Sequence, residues 1–113
     1  MITSYVTPQR SLLYLSLVGP LNEQSADSLV NEYYERHCPT LRQCILDLAG
    51  ADHASEGGLT VLNRLSLLAQ VDSIEFSVVA GGGNAEEAIA KAATRFLVPV
   101  VDGRDLPFAR RAS

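Results

Sequence analysis

The chain is short of cysteine, of histidine, of positive charge and of long apolar runs, and each shortage argues against a class of protein. Its two cysteines, Cys38 and Cys44, form no CxxC pair, and His37 and His53 lie sixteen residues apart. That leaves no Cys/His cluster with the spacing of a zinc site. Cys44 sits in the apolar run 44–48 and reads as a buried thiol. Pairing it with Cys38 would need an oxidising compartment that nothing else in the sequence indicates. No apolar stretch approaches the roughly 20 residues that cross a bilayer. The start, Met1-Ile2-Thr3-Ser4, lacks the basic and long apolar segments of a signal peptide. Nine basic side chains face thirteen acidic ones, for a net charge of −4. Nucleic acid and anionic membrane surfaces both select for positive fields, so neither is expected as a partner. The expectation is a cytoplasmic domain without membrane insertion, metal or cofactor.

What the chain does have is a globular composition. Its 113 residues are 47% apolar, enough to fill one ordinary core. Residues 2–7 and 11–18 read as two strands around a Pro8-Gln9-Arg10 turn, and Leu13, Leu15 and Leu17 alternate on one face of the second. Gly19-Pro20 is expected to stop it. Residues 22–37 take helical spacing through Leu29, Val30 and Tyr33, with Asp27 near the positive end of the dipole and Pro39 beyond the end. Tyr34 falls on the outer side. Residues 41–48 form a strand that is apolar on both faces, with Cys44, Leu46 and Leu48 on one and Ile45 on the other, as in a central strand.

Residues 52–58 are polar and glycine-rich and read as a loop. A helix follows over 59–70, with Val61, Leu62, Leu65, Leu68 and Ala69 on one stripe and Leu67 off it. A strand is expected over 74–80. Gly81-Gly82-Gly83 then turns the chain, and Asn84 with Glu87 has the spacing of a capping box opening a third helix with core residues Ile89, Ala92, Ala93 and Phe96. Residues 98–101 read as a short last strand, which Pro99 confines to an edge. The order β-β-α-β-α-β-α-β predicts an α/β domain over 1–103. It should hold a mixed four- to five-stranded sheet, with the helices mostly on one face. Residues 104–113, with Arg104, Arg110 and Arg111 around Phe108, are expected to be a tail.

Three segments in this order resemble the STAS domain family, the fold of bacterial anti-sigma factor antagonists. Val18-Gly19-Pro20-Leu21-Asn22 resembles the family's strand followed by Gly-x-Leu-Asp. Asp47-Leu48-Ala49-Gly50-Ala51 resembles its Asp-Leu-Ser-x-Val strand end. Eight residues after Asp47, Ser55-Glu56-Gly57-Gly58-Leu59 stands where the family has Asp-Ser-Ser-Gly-Leu, and Thr60-Val61-Leu62 continues the match. The resemblance implies a non-enzymatic module that binds a kinase-type anti-sigma factor through Asn22, Ser55, Glu56, Gly57, Gly58, Thr60, Asn63 and Arg64. In the family, a serine at the position of Glu56 accepts a phosphate that turns docking off, because nearly two negative charges are added there.

This chain departs from that pattern at its centre. Glu56 occupies the acceptor position, Ser55 replaces an aspartate, and Asn22 replaces another. Glu56 carries one permanent negative charge and imitates the phosphorylated state imperfectly. A register shifted by one residue makes Ser55 the acceptor instead. Ser55 also fits a plain helix N-cap, and Glu56 a first-turn acid. Two other readings stay open: a STAS subunit of a lipid-transport ATPase or sensory assembly, and a small nucleotide-binding protein using Gly81-Gly82-Gly83, which lacks the lysine and glycine pattern of known phosphate loops.

Overall fold

The alternation of Leu13, Leu15 and Leu17 is the seed of the architecture. A computed structural model describes residues 1–102 and contains a four-stranded mixed sheet, β1-β2-β3-β4, with three helices. Strand β1 (Ile2–Val6) pairs antiparallel with β2 (Leu12–Leu21), Ile2 lying opposite Leu17 and Val6 opposite Leu13. Strand β3 (Gln43–Ala54) runs parallel to β2, and β4 (Glu75–Val79) runs parallel to β3. Helices α1 (Glu23–Arg36) and α2 (Glu56–Val71) are the crossovers, and α3 (Glu86–Arg95) follows β4.

One face of the sheet takes all three helices. Leu13, Leu15, Leu17, Cys44, Leu46, Leu48, Phe76 and Val78 meet Leu29, Val30 and Tyr33 of α1, Val61, Leu62 and Leu65 of α2, and Ile89, Ala92 and Ala93 of α3 in one continuous core. Each helix has a single apolar stripe to bury, so each lies on the sheet. The opposite face carries a small cluster of Leu12, Ile45 and Val79, with Tyr14 and Val101 packed against it. Tyr33 is buried and Tyr34 is exposed, as their helical positions imply.

Several boundaries differ from the sequence reading, each for a tertiary reason. Gly19-Pro20 does not end β2. The strand passes through them to Leu21 by shifting register twice against β3, and Gly19 takes φ +118°, which suits glycine. Pro20 falls inside the second shift, where a missing N–H is harmless. Because β2 continues, β3 continues beside it past Leu48 through Gly50, Ala51 and Ala54, into the stretch from Asp52 that was expected to be a loop. Helix α2 starts at Glu56, three residues before the expected start at Leu59. Phe96 is only partly buried. Helix α3 is capped at Ala85 without a side-chain bond, so the Asn84–Glu87 capping box does not form. The expected fifth strand is reduced to one parallel bridge between Val78 and Val100. The expected tail, 104–113, lies outside the described residues.

Candidate functional site

The carboxyl ends of β2 and β3 deliver α1 and α2 side by side. Asn22 caps α1, its side chain accepting from the Ser25 N–H at 2.9 Å while the Ser25 hydroxyl accepts from the Asn22 N–H at 2.9 Å. Ser55 caps α2, its hydroxyl accepting from the Gly58 N–H at 3.1 Å. The two starts are stitched together, since the Ser55 N–H donates to the Leu21 carbonyl at 3.0 Å. Gly58 makes that approach feasible. A Cβ there would lie 2.5 Å from the Leu21 carbonyl carbon and 2.8 Å from the Asn22 nitrogen. The first turns of the two helices therefore lie close together, with the Ser25 and Gly58 N–H groups satisfied by their caps.

The residues singled out in the sequence divide into two groups. Asn22, Ser55 and Gly58 build the junction: Asn22 is half-buried, Gly58 is buried, and the Ser55 hydroxyl is engaged by its own helix. Gly57 is half-buried against Glu23. Glu56, Thr60, Asn63 and Arg64 form the outward face of α2, at spacings of four, three and one that keep them on one side of a helix. Thr60 turns its hydroxyl back to donate to the Gly57 carbonyl at 2.6 Å. Arg64 reaches across to α1 and donates to the Asp27 carboxylate at 2.7 Å. Leu67 continues this face one turn further and is 54% exposed.

Glu56 is the first residue of α2, and its side chain is 85% exposed. Its carboxylate lies 3.7 Å from the Arg95 guanidinium, which also stacks over the Phe96 ring. Sequence reasoning missed Arg95, because no local spacing announces that the end of α3 comes back to the start of α2. Leu59, Ala88 and Ala92 floor a groove of about 290 Å³ between the two helices, with Glu56, Lys91 and Arg95 on its rim. The site thus presents one exposed carboxylate, an adjacent guanidinium, an Asp27–Arg64 pair and a row of hydroxyl and amide groups.

Asp47, which opens the strand-end motif, points to the other face of the sheet. It accepts one hydrogen bond from the Tyr14 hydroxyl and another, at 2.9 Å, from the Ala49 N–H. Burial and that carboxylate together raise the Tyr14 phenol well above its usual value. The triple-glycine turn borders a cleft of about 500 Å³ that Glu86 and Asp102 also line. Glu86 and Glu87, in the first turn of α3, oppose the binding of a phosphate there. Among the described residues, no three His, Cys, Asp or Glu side chains are placed to hold a metal ion, and no helix is long and apolar enough to cross a membrane.

Neither a protein-family model nor a curated protein matches this sequence.

Proposed function

We propose that the chain is a regulatory protein-binding module of the anti-sigma factor antagonist type, docking a kinase-type anti-sigma factor through the outward face of α2 and the joined starts of α1 and α2. The observation that carries this reading is the position of Glu56. It stands at the first residue of α2, 85% exposed, on a face that also holds Thr60, Asn63 and Arg64. A partner closing over that face meets a fixed charge where the resemblance places a reversible one. A carboxylate has about one charge and two oxygens against the nearly two charges and three oxygens of a phosphoryl group. Arg95 further offsets it at 3.7 Å. The module is therefore held in a partial imitation of the phosphorylated state that no phosphatase resets. Ser55 is a poor acceptor in this arrangement, because its hydroxyl must leave the Gly58 N–H before it can be modified.

The test is a titration of the isotope-labelled chain with the purified kinase-type anti-sigma factors of its native cell, followed by amide chemical shifts. The reading expects the largest shifts at Glu56, Thr60, Asn63 and Arg64, with smaller ones at Asn22 and Ser55. Saturable binding that perturbs the opposite sheet face and leaves α2 unmoved would assign the partner to another surface. Phosphate incorporation at Ser55 would restore the shifted register. Capture of a transport ATPase in place of any kinase would favour the transporter-subunit role.

A further inference from the structure

We infer that the outer edge of β1 is a self-association surface, and that a second copy of this chain pairs its own β1 there in antiparallel fashion, centred on Ser4. The direction of the backbone groups comes first. Met1 and Val18 exchange two hydrogen bonds, the Met1 amino group donating to the Val18 carbonyl at 2.6 Å and the Val18 N–H to the Met1 carbonyl at 2.8 Å. Further along, the Thr7 N–H donates to the Leu12 carbonyl at 3.1 Å. In an antiparallel ladder, bonded and non-bonded pairs alternate, so Thr3 and Tyr5 also face β2. The N–H and C=O groups of Ile2, Ser4 and Val6 therefore point away from the sheet, of which β1 is the end strand among the described residues.

Among the described residues, this edge carries none of the usual deterrents to pairing. Exposed edge strands are normally blunted by lysine, proline, a bulge or an inward charge. Ile2–Val6 contains no charged residue, proline or glycine, and its register with β2 is unbroken. It is also self-complementary. A two-fold axis through Ser4 sets Ile2 opposite Val6 of the other copy and Ser4 opposite Ser4, which brings outward-pointing residues together at every bonded pair. Thr3 then faces Tyr5 of the other copy in the non-bonded pairs, an aromatic against a β-branched residue. Tyr5 is 47% exposed in the single chain.

The charges beside the edge agree. The Ser4 hydroxyl donates to the Glu32 carboxylate at 2.7 Å, and the Arg36 Nε donates to the Ser4 oxygen at 3.1 Å. One acid and one base of α1 thus flank the proposed axis. An axis perpendicular to the sheet places both copies of α1 on the same side and antiparallel, so Arg36 of each copy approaches Glu32 of the other. The result is a closed dimer with a continuous eight-stranded sheet.

The experiment is sedimentation of the full chain from micromolar to millimolar concentration, with two variants at Ser4. Ser4→Pro removes the central outward N–H. The fold tolerates it, because proline is accepted on an edge strand where the N–H faces solvent. Ser4→Ala removes the hydroxyl contacts with Glu32 and Arg36 and keeps the N–H. The expected result is a mass that doubles with concentration for the wild type and Ser4→Ala, and a monomer at every concentration for Ser4→Pro with an unchanged circular dichroism spectrum. A wild type that stays monomeric, or a Ser4→Pro chain that associates like the wild type, overturns the proposal. Should Ser4→Pro fail to fold, mixed-label samples of the wild type decide. The pairing requires an Hα–Hα nuclear Overhauser effect between Thr3 and Tyr5 of different copies, and its absence in a dimeric sample refutes it.

Discussion

Replacing Gly58 by alanine tests whether the joined starts of α1 and α2 hold the site together. In an ordinary helix the change stabilises by about 1 kcal/mol. Here the new methyl meets main chain, 2.5 Å from the Leu21 carbonyl carbon and 2.8 Å from the Asn22 nitrogen, and neither can swing aside as a side-chain tip can. Relief requires α2 to withdraw by about 1 Å, an overpacking that costs about 1–3 kcal/mol. Withdrawal also strains the Ser55 cap and the Ser55–Leu21 hydrogen bond, each worth about 1 kcal/mol. After subtraction of the propensity gain, Gly58→Ala should destabilise the fold by about 2–4 kcal/mol. With a urea m-value of about 2 kcal/mol/M, the midpoint should fall by about 1–2 M. Two glycines serve as controls. Gly57→Ala meets the Glu23 side chain, its Cγ first and its oxygen at 2.7 Å, which can shift where main chain cannot, so its cost should be lower than that of Gly58→Ala. Gly82→Ala meets nothing within 4 Å and should be neutral. The reasoning fails if Gly58→Ala raises the midpoint or leaves it with Gly82→Ala.

Leu65 is fully buried between α2 and the sheet, so Leu65→Ala should cost about 2–5 kcal/mol by chemical denaturation, while Leu67→Ala, at 54% exposure, should cost far less. Burial pushes the Cys44 thiol up to about 12, and burial with an aspartate partner raises the Tyr14 and Tyr33 phenols. These groups are raised in the folded chain, so their stability is fully present below the ordinary thiol and phenol values and is lost as pH climbs through the folded ones. The urea midpoint should therefore decline steadily from about pH 9 upward, and a flat profile to pH 11 would contradict the burial. Hydrogen bonding with Thr40 draws the Cys38 thiol down, so a disulfide reagent at neutral pH should modify Cys38 quickly and Cys44 only on unfolding.

The core and the element order were legible because they are written in short-range periods. The two-residue alternation of Leu13, Leu15 and Leu17 and the helical stripe of Val61, Leu62 and Leu65 need no knowledge of the fold. What was illegible depends on neighbours. Gly19-Pro20 carries a strong stop signal, yet β3 supplies a partner strand beyond it, and a double register shift absorbs the proline. The polar stretch after Leu48 pairs because β2 continues beside it. Gly57-Gly58 looks like loop sequence, and only the crowding by Glu23 and Leu21 reveals the pair as the first turn of a helix. The Asn84–Glu87 spacing is a local signal that the structure does not use. In the site, the outward row Glu56, Thr60, Asn63 and Arg64 follows from helical spacing. The partners Arg95 and Asp27 do not, since each comes from another helix.

The charge of Glu56 is the point on which the functional account turns, and calorimetry of the wild type and Glu56→Ala against the kinase-type anti-sigma factor measures it directly. If the carboxylate imitates a phosphate, removing it should tighten binding by about 1–2 kcal/mol, about five- to thirtyfold. The difference between the two chains should shrink as salt is added, because the repulsion is between exposed charges. Weaker binding by Glu56→Ala would mean that a basic group of the partner meets the carboxylate, and equal binding at both salt concentrations would reduce Glu56 to a helix-start acid; either result contradicts the account.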